Sequence, residues 1–133
     1  MSLGDPLRDG VARLAPGLDE PTAAGSGIGQ AFLVLTALTD KPRHGYGIVA
    51  LVLELSDGRV PLSVGTLYGV LDRLAAQGSV VRDRDETHLG RLRRYYRLTP
   101  QGADELAIEA DRLAASARLA TSRLSLGLAG GIP

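Results

Sequence analysis

The chain has 133 residues, 44% of them apolar, with 15 basic side chains against 15 acidic ones, which suits one domain with one modest core. No apolar run approaches the ~20 residues that a spanning helix needs, and cysteine is absent, which excludes disulfides, thiolate nucleophiles and cysteine zinc sites. No signal sequence opens the chain, so the expected compartment is the cytoplasm.

Residues 1–27 are rich in Gly, Pro and Ala. Leu7, Val11 and Leu14 fit one face of a short helix, but Gly10, Pro16 and Ala24-Gly25-Ser26-Gly27 break it, so an arm is expected, flexible or folded onto a partner. Ile28 to Thr39 predicts a first helix, with Ile28, Phe32, Leu35 and Leu38 on one stripe. Residues 40–45 read as a loop stopped by Pro42. Tyr46 to Ser56 predicts a second helix, apolar on nearly all sides and therefore expected to be the most buried. After the Asp57-Gly58 turn, Arg59 to Leu62 is at most a stub of edge strand, since Pro61 lacks a donor.

The third helix is the best defined. Leu67, Val70, Leu71 and Leu74 recur at spacings of three and four, Ser63 stands at the N-cap, and Gly78 stands where a left-handed C-terminal residue belongs. Its outward first turn carries Gly65, Thr66 and Tyr68, small or hydrogen-bonding groups rather than the Glu and Lys of a solvated face. Such a helix suits insertion into a DNA major groove.

The period then changes. Ser79 to Asp85 alternates, with Val80, Arg82 and Arg84 on one face, and Leu92 to Leu98 alternates again around a tip at residues 86–91. Arg82 to Arg97 holds six arginines against three acids, so the positive charge of a neutral chain gathers in this one hairpin. Thr99 and Pro100 read as N-cap and first residue of a last helix running to about Ser125. On it Leu106, Ala110, Leu113, Ala117, Ala120 and Leu124 follow a 4-3-4-3-4 spacing, a heptad seam for a homodimer.

This order of elements predicts a mainly α fold with a small β-hairpin, a winged helix-turn-helix with a C-terminal dimerisation helix. The expected divisions are an arm over 1–27, the winged domain over 28–99, the dimerisation helix over 100–126 and a tail over 127–133.

Arg43-His44-Gly45-Tyr46, then Ser63-Val64-Gly65-Thr66-Leu67-Tyr68 with Arg73 and Gly78, then Arg93-Arg94-Tyr95-Tyr96-Arg97-Leu98-Thr99-Pro100-Gln101-Gly102 resemble the PadR-like transcriptional regulators over roughly residues 30–125. Val64 departs from the proline common there, and the single last helix resembles the family's shorter branch. The resemblance implies a homodimer binding a two-fold DNA operator, usually as a repressor. On it, Ser63, Gly65, Thr66, Tyr68 and Arg73 are expected to contact DNA from the recognition helix, and Arg91, Arg93 and Arg94 from the wing. Between the first and last helices of a dimer, residues such as Phe32, Leu35, Leu106 and Leu113 are expected to line a space for a small aromatic or amphipathic effector.

His44 and His88 stand in separate loops with no ligand-spaced partner, so no metal or other cofactor is expected. No Ser-His-Asp grouping, phosphate loop or catalytic carboxylate pair can be placed, so no enzyme is expected. A winged-helix protein-interaction module is the rival class, and a MarR-like regulator is the rival within DNA binding.

Overall fold

The computed structural model of the chain describes residues 29–130, so the expected arm, the start of the first helix at Ile28 and residues 131–133 lie outside the described part. Within it the elements run α1 (Gln30–Ala37), β1 (Arg43–His44), α2 (Gly45–Leu55), α3 (Val64–Ala76), β2 (Val80–His88), β3 (Arg91–Leu98) and α4 (Pro100–Gly130).

Helix α1 has only eight residues, too few to persist alone in water, and packing holds it. Ala31, Leu33, Val34, Leu35 and Ala37 are all buried, so its apolar surface is wider than the expected single stripe. Arg43 closes its C-terminal end, its Nε donating to the Ala37 carbonyl at 2.9 Å while its Nη2 bridges to Asp40. Helix α2 reverses the sequence expectation. Gly45, Ile48 and Val52 are buried, whereas Tyr46, Leu53 and Leu55 are exposed. Apolar composition permits burial on all sides, but α1, α3 and β3 cover only one side of α2.

The sheet is three-stranded and antiparallel, in the order β1-β3-β2. Its third strand is not at residues 59–62, where Val60 and Leu62 instead plug the core from an irregular segment. It is β1, in the stretch expected to be a loop, pairing Arg43 with Tyr96 and His44 with Tyr95. Two residues carry no readable period, which is why the pattern missed it. The hairpin is longer and tighter than expected, since only Leu89-Gly90 separates the strands. Both have positive φ, 51° and 77°, the geometry of a type I′ turn.

A register break between Arg82 and Arg84 leaves Asp83 as the extra residue of a bulge. The bulge corrects the expected faces. Arg82 pairs with Tyr96, and an unbroken ladder would set Arg84 opposite Arg94; it pairs with Tyr95 instead and so leaves the face of Val80 and Arg82.

The core joins Leu67, Val70, Leu71 and Leu74 of α3 to the apolar side chains of α1, to Ile48 and Val52, and to Val80 and Tyr96 of the sheet. Leu67 and Leu71 have no exposed surface, so Ala at either would cost about 2–5 kcal/mol in lost burial and cavity.

The C-terminal end of α3 is fastened to the start of α4 through polar groups. Thr99 caps α4, accepting from the Gly102 N–H at 3.0 Å, and its hydroxyl reaches the Gly78 carbonyl at 2.6 Å. Gln101 Nε2 donates to the Gln77 carbonyl at 2.6 Å, and buried Ser79 donates to Glu105 Oε1 at 2.5 Å. Only glycine fits at 102, because a Cβ there would lie 2.1 Å from the Ser79 carbonyl oxygen.

Helix α4 continues to Gly130, past the expected end near Ser125. No proline interrupts residues 101–130, and each added residue gains one backbone hydrogen bond, which offsets Gly127. A helix-turn-helix made of α2 and α3, a β2–β3 wing and a long last helix make this a winged helix-turn-helix fold.

Candidate nucleic-acid interface

Helix α3 begins where its residues dictate. The Ser63 backbone is extended, its Oγ accepts from the Thr66 N–H at 3.1 Å, and the same hydroxyl donates to Thr66 Oγ1 at 2.9 Å. Val64 thus opens the helix without proline's fixed φ. Ser63, Gly65 and Thr66 are exposed, and so is Arg73 in the last turn. Gly69 joins them, one turn beyond Gly65, and a Cβ at either glycine would meet nothing within 4 Å. The sequence reading passed over Gly69, although its spacing of four from Gly65 marks the same face. The result is a shallow outward strip with hydroxyls at its N-terminal end, where free N–H groups and the positive end of the helix dipole lie.

Tyr68 is placed differently. It is half-buried, with its ring tilted against Tyr96 at 6.4 Å and its hydroxyl so close to Gly45 that a Cβ there would sit 2.7 Å away. It wedges the start of α2 against α3 and so sets the angle between them. Tyr96 is the core-facing tyrosine of the pair, and burial raises the pKa of its phenol.

The arginines of the hairpin divide into two sets. At the base, Arg82 pairs with Asp85 at 2.9 Å, Arg84 pairs with Asp83 at 2.8 Å and Glu86 at 2.7 Å, and Arg97 approaches Asp83 at 3.4 Å. Arg84 also lies 4.1 Å from the centre of the Tyr95 ring, a cation–π contact. Its hydrogen bonds hold the Glu86 carboxyl below the ordinary carboxylate range and raise the pKa of its own guanidinium. Towards the tip, Arg91, Arg93 and Arg94 form no ion pair among the described residues. Thr87 to Arg94 contains no acid at all. The base is therefore electrically closed and the tip is cationic.

His44 joins the base to the helix-turn-helix. Its Nδ1 accepts from the Gly47 N–H at 3.3 Å, capping α2, and its ring meets Tyr95 edge-on at 5.3 Å. Burial lowers the pKa of this imidazole, and the nearby charges of Arg93 and His88 lower it further against the opposing pull of Glu86. The neutral ring is the capping form, because a protonated Nδ1 cannot accept.

On α4, Leu106 and Leu113 are half-buried, and Ala110, Ala117, Ala120 and Leu124 are exposed. From Ala114 to Gly130 every side chain except that region's Gly127 is open, including Leu119 and Leu128. Leu119 and Leu126, seven residues apart, form a second apolar line beside the expected seam. Glu109, expected to be off the seam, is 4% exposed and held by Arg112. Of the residues expected around an effector, Leu35 belongs to the core, while Phe32, Leu106 and Leu113 keep an open side. An open groove of about 460 Å³ lies elsewhere, between Leu38–Pro42 and Arg97–Ala103, and includes none of the four.

The profile described as "Transcriptional regulator PadR-like family" matches residues 34–108, from α1 into the first third of α4. The chain belongs to the PadR-like family. These are transcriptional regulators, in agreement with the reading of the chain as no enzyme. The fold resembles that of a PadR family transcription regulator from Clostridium difficile (TM-score 0.60, 27% identity, covering 71% of this chain and 96% of that one). It also resembles Bacillus subtilis PadR, whose structure was solved with operator DNA (TM-score 0.54, 21% identity, 60% and 46% covered), a likeness of fold alone. In sequence, the chain is 45% identical over 82 residues to an uncharacterized 37.1 kDa protein in transposon TN4556 of Streptomyces fradiae. That match takes in 62% of this PadR-like chain but spans only 22% of the relative's length. Among the described residues no helix is long and apolar enough to cross a membrane.

Proposed function

We propose that this PadR-like chain is a cytoplasmic, sequence-specific DNA-binding repressor that acts as a homodimer on a two-fold operator. The observation that carries the reading is the pairing of two surfaces. One is the strip of small and hydroxyl-bearing residues on α3, and the other is the wing tip with three arginines outside any described ion pair. Ser63, Gly65, Thr66 and Gly69 face the major groove, Arg73 reaches a phosphate from the helix's far end, and Arg91, Arg93 and Arg94 reach flanking phosphates. Tyr68 acts from behind, by fixing the angle of the recognition helix. That Bacillus subtilis PadR, of the same fold, was solved in complex with operator DNA supports DNA as the partner.

The bare half of α4 supports the dimer. Seventeen residues of helix with open leucines are marginal in water and are stabilised by a second copy along Leu106, Ala110, Leu113, Ala117, Ala120 and Leu124. A small aromatic or amphipathic effector that relieves repression enters at the open edge of Phe32, Leu106 and Leu113 and shifts the spacing of the two recognition helices. Membership of the PadR-like family sets aside the MarR-like reading. The interaction-module reading draws on the neutralised base of the hairpin, and one experiment separates it from ours. Footprinting on the DNA flanking the chain's own gene, repeated across a salt series, gives a protected two-fold site whose affinity falls steeply with salt if the proposal holds. No protected duplex at low salt contradicts it.

A further inference from the structure

We propose that Leu89 is itself a DNA-contacting residue, an apolar wedge that the wing carries into the minor groove against a base step. The inference rests on the DNA-binding reading above and assigns a role that no phosphate contact supplies. Leu89 is 90% exposed at the far end of the hairpin, the highest exposure of any large apolar side chain described. Its backbone is left-handed, φ 51°, at the first position of a type I′ turn. That position favours Asn, Asp or Gly, whose side chains tolerate positive φ, and a leucine there is strained. A single exposed leucine is ordinary, but one held in an unfavourable conformation where a better residue is available points to use.

The surroundings name the occupant. Arg91 and Arg93 extend from one face of the hairpin and Arg94 from the other. The acids across the ladder from them, Glu86 opposite Arg93 and Asp85 opposite Arg94, are already paired with Arg84 and Arg82, so the tip keeps a surplus of positive charge. Two such tips repel each other, so a second copy of the chain is a poor partner, and a polyanion is a good one. From Tyr95, where β1 last pairs, the hairpin runs four residues to Arg91, a projection of about 13 Å beyond the three-stranded sheet. The two-residue turn leaves Leu89 as the one side chain at the tip, Gly90 having none, and that side chain, rather than the wider two-stranded ribbon, enters the minor groove. Leucine is among the side chains that enter base steps from that groove and kink the duplex, with arginines neutralising the flanking phosphates.

The test uses the full-length chain and a duplex selected from a random library by the wild-type protein, with 2-aminopurine placed in turn at each position flanking the protected core. Leu89→Asn relieves the turn, so its melting temperature equals or exceeds that of wild type. Its affinity for the selected duplex nonetheless falls about tenfold, and the rise in 2-aminopurine emission that reports unstacking disappears. Leu89→Met keeps the apolar bulk and retains both binding and the emission rise. The wedge is overturned if Leu89→Asn binds and unstacks like wild type, if Leu89→Met loses as much as Leu89→Asn, or if Leu89→Asn changes the oligomeric state. A wild-type chain that selects no duplex overturns the DNA-binding reading itself, a result distinct from each of these.

Discussion

The base and the tip of the wing are built from the same residue types and are put to opposite use. At the base, Arg82, Arg84 and Arg97 are bound up with Asp83, Asp85 and Glu86, and Tyr95 is enclosed between His44 and Arg84. At the tip, Arg91, Arg93 and Arg94 have no such partners, and Leu89 is bare. Counting charges along the segment cannot distinguish these two groups. Pairing does, and it turns a diffuse net charge into a neutral stem with a cationic end.

The largest expected effect sharpens the comparison by halving the number of tips. Leu113→Asp buries an unpaired carboxylate at the proposed seam, at a cost of several kcal/mol to the dimer. It should give a monomer in sedimentation with an unchanged far-UV spectrum of the winged domain, and lose operator binding. A dimer that survives the change places the interface elsewhere.

Next comes a change that separates the tip from the recognition helix. Thr66→Ala should weaken the preferred operator by roughly 1–3 kcal/mol while leaving random duplex nearly unaffected, since it removes a groove-facing hydroxyl and no charge. Thr66 Oγ1 also accepts from Ser63, so melting curves must show the fold intact before affinities are compared. Equal losses on both duplexes would move Thr66 from reading bases to holding backbone.

The smallest effect tests the stem. Burial lowers the pKa of His44 in the folded chain, so folding favours the neutral ring. The stability this contributes is full above the unfolded value of about 6.5 and is lost as the pH falls through the folded value. The wild-type melting temperature should therefore drop between about pH 7.5 and 5.5, and His44→Asn, which caps without titrating in this range, should flatten that drop. Parallel pH profiles for the two proteins would contradict the assigned cap.

Much of this fold was legible beforehand because it repeats. Leu67, Val70, Leu71 and Leu74 at helical spacing placed the core face of α3, Ser63 and Thr99 marked two helix starts, and the alternation through Leu92–Leu98 put Tyr95 and Tyr96 on opposite faces without deciding which is core. What was not legible depends on partners distant in sequence. The two residues of β1 become a strand only through Tyr95 and Tyr96, and the Asp83 bulge exists only as a mismatch with β3. The exposure of Leu53 and Leu55 on α2 depends on which neighbours lie beside them, and composition does not record that. For the candidate site, residue types on α3 placed Ser63, Gly65 and Thr66 on the outward face, where they are exposed. The inward turn of Tyr68 onto Gly45 and the split among the wing arginines required coordinates.

The difference between stem and tip is tested most directly by salt. Binding of wild type to one selected duplex is followed as log K against log salt beside two triple variants, one with Arg91, Arg93 and Arg94 changed to Ala, the other with Arg82, Arg84 and Arg97 changed to Ala. If each tip arginine meets a phosphate in both halves of a dimer, the tip variant's slope becomes shallower by up to about 5 units, while the stem variant melts earlier but keeps the wild-type slope. Equal slopes for wild type and the tip variant, or a stem variant that loses as much slope as the tip variant, would contradict the account.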